Sequence, residues 1–113
     1  MSIKPANLQP LHSSLLEKEP ELFDLIKKYV MAYPEMIRGL KTEMEEKNWD
    51  DFNQHLHDLK STGGNYGFMC ITELAIQIKT HLDENNQQAV LPLLDELDAL
   101  QHRMLLAVND KAE

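Results

Sequence analysis

His57-Asp58-Leu59-Lys60-Ser61-Thr62-Gly63-Gly64-Asn65-Tyr66-Gly67 is the stretch of this 113-residue chain whose residue types and spacing suggest chemistry. A neutral imidazole, with a reference pKa of about 6.5, presents an unprotonated nitrogen at neutral pH, so His57 is a candidate nucleophile. Lys60 stands one helical turn further on and could neutralise part of a transferred phosphoryl group. Beyond it, two adjacent glycines interrupt an otherwise periodic helix, each costing about 1 kcal/mol relative to alanine. A sequence that breaks a local rule this openly often does so at a functional site.

Each helical residue advances by roughly 100°, so His57 shares a face with Lys60, Ser61 and Gly64, and with Asn53 one turn before it. The opposite, bulky stripe runs Trp49, Phe52, Leu56, Leu59, Gly63, Tyr66. Gly64 therefore belongs to the open face and Gly63 to the packed one, while Gly67 fits the left-handed position that ends a helix. Taken singly these features are ordinary: lone histidines and lysines populate helix surfaces, and Gly63 with Gly67 is a small-xxx-small spacing that allows close packing. Their conjunction on one face supports the chemical reading, with Asn53, Ser61 and Gly64 as clearance for a docking partner.

The elements that position this face are helices. Leu8, Leu11, Leu15 and Leu16 repeat at helical intervals after Asn7, the predicted N-cap of a short first helix. Pro20 opens a longer segment in which Phe23, Ile26, Val30, Tyr33, Ile37, Leu40 and Met44 step by three and four; the unbroken phase across Pro34 and Gly39 predicts one kinked helix. Asn48 caps the helix that carries His57, with Asp50 and Asp51 complementing its dipole. Phe68, Ile71, Leu74, Ala75, Ile78 and Leu82 mark a fourth helix closed by Asp83-Glu84-Asn85-Asn86. Val90, Leu94, Leu97, Leu100, Met104 and Val108 face inward on a fifth that begins near Pro92. No stretch alternates as a half-buried strand does. The expected fold is all-α: an antiparallel up-and-down four-helix bundle with a short additional N-terminal helix.

Composition narrows the partners. The length suits one domain over residues 1–113, with an ordered core over about 7–108. Nineteen acidic against eleven basic residues leave a net charge of −8, the wrong sign for nucleic acid or anionic lipid. No run approaches the roughly 20 apolar residues that span a bilayer, no signal-peptide core follows Met1, and the single Cys70 cannot form an internal disulfide. A cytoplasmic monomer is expected, with Cys70 buried or half-buried.

The His57–Gly67 stretch resembles the signature of histidine-containing phosphotransfer (HPt) domains, in which a histidine is followed by an apolar residue, a lysine, a small residue and later a helix-ending glycine. Leu59, Lys60, Gly64 and Gly67 match, Phe68, Ile71 and Leu74 continue the register, and chain length and helix order are similar to the family's. Ser61 departs from it, standing where glycine is most frequent; its hydroxymethyl group should still permit docking. The resemblance implies that His57 accepts a phosphoryl group from the aspartyl phosphate of a response-regulator receiver domain, such as that of a hybrid sensor kinase, and passes it to another receiver aspartate. Mg²⁺ is then expected on the receiver, with no cofactor held by this chain. The rival reading is a non-catalytic bundle that binds and inhibits a receiver or kinase without phosphoryl transfer.

Other constellations carry less. His55 and His57 point to nearly opposite sides of their helix and cannot share a metal ion; no metal site is expected. Gly63-Gly64 looks like a phosphate loop, but Lys60-Ser61 precede the glycines and no strand leads in, so no autonomous kinase activity is expected. Asp58 is about 100° from His57, a poor orienting partner. Glu43, Glu45, Glu46, Asp50 and Asp51 read as an exposed helix end and loop, and His12, His81 and His102 as surface or boundary residues.

Overall fold

The computed structural model describes residues 9–111. Helix α1 (Ser14–Lys18) leads through a 3₁₀ turn at Pro20–Leu22 into α2 (Phe23–Glu45); α3 (Trp49–Asn65), α4 (Met69–Asp83) and α5 (Val90–Lys111) follow, the last preceded by a 3₁₀ turn at Gln87–Ala89. The long helices form a ring: α2 packs on α3 and α5, and α4 packs on α3 and α5. Short connections between neighbours make this the expected antiparallel up-and-down bundle.

The predicted seams close the core. Ile26, Val30, Tyr33, Ile37 and Leu40 from α2, Phe52, Leu56 and Leu59 from α3, Ile71, Ala75 and Ile78 from α4, and Val90, Leu94, Leu97, Leu100, Met104 and Val108 from α5 are all buried. Helix α2 runs unbroken through Pro34 and Gly39. Next to Pro34, Tyr33 places its ring in the core and donates its hydroxyl to the Leu97 carbonyl at 2.6 Å, tying α2 to α5.

Caps set the helix that carries the histidine. The Asn48 side chain accepts from the Asp51 amide at its start. At its end Gly67 adopts φ +88°, with its amide donating to the Gly64 carbonyl and the Phe68 amide to the Gly63 carbonyl at 2.7 Å. These two bonds make a Schellman motif, which satisfies carbonyls the helix would leave open. The α4 end repeats the arrangement with Asn85 at φ +59° and Asn86 donating to the His81 carbonyl.

Two expectations are corrected. The first helix starts at Ser14, capped by Ser13, whose hydroxyl accepts from the Leu15 amide; residues 9–13 are not helical, and Asn7 and Leu8 lie outside the described residues. The Ser13 hydroxyl also donates to the Tyr66 carbonyl at 2.6 Å, which anchors α1 on the α3–α4 turn. Glu43, read as part of an exposed acidic run, instead turns inward with its side chain only 12% exposed.

Glu43 turns inward because α3 supplies a partner. His55 Nδ1 lies 2.6 Å from Glu43 Oε2, while the buried Oε1 has no hydrogen-bond partner among the described residues. The Glu43 hydrogen bond holds the His55 pKa above its usual value, with Asp51 and Asp58 adding to the same direction. A raised imidazole pKa means that the folded chain binds the proton more tightly than the unfolded one, so the stabilisation is full below the unfolded value and fades as pH rises through the folded one. With His55 half-exposed, screening keeps the gain below about 1 kcal/mol. The stability difference between the native chain and His55→Gln, read by urea unfolding, should therefore be larger near about pH 6 than near about pH 8.5. A difference that grew with pH would contradict the pairing.

Candidate functional site

Helix α3 buries one stripe and leaves the other to solvent. Asn53, His57, Lys60 and Ser61 are exposed and Gly64 is half-buried, so the five residues singled out in the sequence share one face. Gly63, one residue from Gly64, is buried in the contact with α4: a Cβ there would lie 2.7 Å from Ile71 Cβ and 3.1 Å from the Thr72 amide. The two neighbouring glycines thus answer to different surroundings.

Gly64 is also constrained from α4. Its amide donates to Thr72 Oγ1 at 2.8 Å, and that hydroxyl donates to the Lys60 carbonyl at 2.6 Å. The threonine hydroxyl therefore bridges the two backbone groups that an α-helix would pair directly. A Cβ on Gly64 would stand 3.2 Å from that oxygen and 3.4 Å from Met69 Cε. Gly64 leaves room for the bridge as well as for anything approaching from outside. The bridge fixes the backbone one turn beyond His57.

Beside the histidine, α3 and α4 enclose a shallow depression of about 80 Å³, lined by Asn53, Leu56, His57 and Lys60 from α3 and by Ala75 and Lys79 from α4. Lys79 and Thr72 were not singled out in the sequence; each is an unremarkable residue on a helix surface until the register of α4 against α3 brings it here. Along the same stripe of α4, Met69 and Ile76 expose 58% and 48% of their surface. Positions 69, 72, 76 and 79 step by three and four, so two apolar side chains and a hydroxyl share one stripe of α4 with Lys79, the residue of that stripe that lines the depression.

The remaining polar residues stand apart from this face. Asp58 accepts from Gln54 Nε2 and lines, with His55, a mostly apolar hollow of about 320 Å³ between α2 and α3, on the other side of the helix from His57. His12 and His102 are exposed, and His81 is half-buried with its ring nitrogen at 3.3 Å from Asn86 Nδ2. Burial pushes the half-buried Cys70 thiol up, away from the reactive thiolate. Among the described residues no three His, Cys, Asp or Glu side chains cluster as metal ligands, and no helix is long and apolar enough to cross a membrane.

The model of the Hpt domain family matches residues 24–107, which takes in α3 entire and nearly all of the bundle. The chain belongs to the Hpt domain family. No curated protein and no solved structure matches it. Membership accounts for the bundle and establishes histidine phosphotransfer in phosphorelays as the general role, with receiver domains as the general class of partner. Within this Hpt domain, His57 is the histidine that combines exposure, a lysine one turn away and a clear approach.

Proposed function

We propose that this Hpt domain is a cytoplasmic, monomeric phosphohistidine carrier that takes a phosphoryl group from one receiver aspartate onto His57 and delivers it to another. The observation that carries the reading is the solvent-open His57–Lys60 face of α3, which the core does not use. In the forward step a ring nitrogen of neutral His57 attacks phosphorus, and the bond to the aspartyl oxygen breaks with its electron pair returning to the carboxylate. The proton on the other ring nitrogen passes to solvent. Transfer onward reverses these events at a second aspartate. Little is asked of the carrier beyond position and charge, because phosphoryl transfer depends mainly on alignment and electrostatic stabilisation.

Lys60 offsets part of the roughly −1.5 to −2 charge that a phosphoryl group adds. Asn53, Ser61 and Gly64 keep the approach low, and Mg²⁺ belongs to the receiver. The exposed Met69 and Ile76 offer apolar area beside the charged centre, the combination a docking surface needs in its core and rim.

Mixing the chain with phosphorylated receiver domains from its own cell tests this. Label should leave a receiver, appear on the chain as acid-labile, base-stable phosphate, and move to a second receiver. Tight receiver binding with no transfer in either direction would replace the carrier by an inhibitor.

A further inference from the structure

We infer that Lys79 is a second cation for the phosphoryl group on His57, an ammonium on α4 that exchanges Asp83 for the phosphate when the imidazole is loaded. The inference rests on the carrier reading of His57. Its basis is that Lys79 is the residue from outside α3 that brings positive charge to the depression shared by His57 and Lys60.

Its present partner holds it weakly. Lys79 Nζ lies 3.0 Å from Asp83 Oδ1, four residues on, with the two side chains 52% and 61% exposed. Exposed pairs of this kind contribute little, and lysine ahead of the acid is the less favourable order along a helix. A phosphoryl group carries about two negative charges and three strong acceptor oxygens, which makes it a stronger partner than one solvated carboxylate. Lys60 alone leaves about half of that charge uncompensated. Ala75, fully buried and one turn before Lys79, lines the same depression as Leu56 and His57 and leaves its floor without a bulky side chain from α4.

Two cations from different helices would also fix the phosphoryl group in the depression. Lys60 moves with α3, as His57 does, whereas Lys79 reaches it across the α3–α4 contact. The short Thr72 bridge holds that contact near its other end.

Phosphoramidate, which loads histidines without a receiver, separates this role from docking. The imidazole attacks phosphorus, the P–N bond breaks and ammonia leaves, with the ring proton passing to water. Lys79→Gln should slow labelling of the full chain about fivefold to tenfold, the scale of one exposed charge-assisted contact. Lys79→Arg should stay within about twofold of the native rate, since the cation is kept. A ³¹P titration of the loaded chain supplies a second readout, because removing a neighbouring cation raises the pKa of the phosphoryl group. Lys79→Gln should raise it and Lys79→Arg should not. Native labelling and an unchanged ³¹P titration in Lys79→Gln would make Lys79 a bystander while leaving the carrier intact. A native chain that takes phosphate from neither phosphoramidate nor any receiver would instead remove the carrier reading, and this proposal with it.

Discussion

A His57→Gln chain is expected to take up no acid-labile phosphate from a phosphorylated receiver, a loss of at least about a hundredfold in transfer, because the nucleophile itself is removed. Glutamine is close to histidine in reach and polarity, but its amide nitrogen lone pair is delocalised into the carbonyl and does not attack phosphorus. Since position 57 is exposed and glutamine is a good helix former, the fold should change by no more than about 0.5 kcal/mol. Receiver binding should survive, which distinguishes lost chemistry from lost structure. Lys60→Ala removes stabilisation without removing the nucleophile, so its loss should be smaller, about tenfold. The measurement is transfer of labelled phosphate, followed by acid treatment. Label that persists in His57→Gln would move the acceptor to another histidine. The structure disfavours that outcome for His55, held against Glu43, and for His81, near Asn86.

The helix that carries the site was legible because its signals are local. Asn48 as cap, the step of three and four through Phe52, Leu56 and Leu59, and Gly67 as the left-handed stop each depend on a few neighbouring residues. The same is true of the face shared by Asn53, His57, Lys60, Ser61 and Gly64, since helical phase alone puts them together. What sequence did not reveal depends on pairing across the bundle. Ser13, the cap of α1, is held by a carbonyl 53 residues away. Glu43 turns inward because His55, twelve residues on, meets it across the α2–α3 contact. Tyr29 lies one position off the α2 seam, yet it is buried because Tyr66 stacks on it at 4.5 Å and its hydroxyl shares a 3.1 Å hydrogen bond with Thr62. Thr72 and Lys79 enter the site only through the register of α4 on α3, which no periodicity specifies.

Gly67→Ala should be the most damaging small substitution to the fold, costing on the order of 3 kcal/mol from backbone strain and lost contacts together. At φ +88° an L-residue pays about 1–2 kcal/mol that glycine does not. The rest comes from the N-terminal segment, because the new Cβ would lie 2.2 Å from Ser13 Oγ, 2.6 Å from the Leu15 amide and 2.8 Å from the Ser14 amide. Two of those contacts are backbone, so rotating one side chain cannot relieve them. The segment has to lift, stretching the bonds from Ser13 Oγ to the Tyr66 carbonyl and from the Ser14 amide to the Gly67 carbonyl, each worth about 1 kcal/mol. Lifting it also uncovers Leu16, which is 93% buried. The smaller conformational freedom of unfolded alanine returns only about 0.4–1 kcal/mol. For a domain of this size the sum lowers Tm by roughly 10–20 °C. Gly67→Asn separates the two causes, since asparagine tolerates the left-handed region but carries the same Cβ. If strain alone mattered, asparagine would recover most of the loss; if the clash with the Ser13–Leu15 backbone dominates, as these distances require, it should recover no more than about 1 kcal/mol. His57 stands eight residues before the end of α3 at Asn65, about 12 Å along the helix axis, so the folded fraction of either variant should still accept phosphate at the native rate.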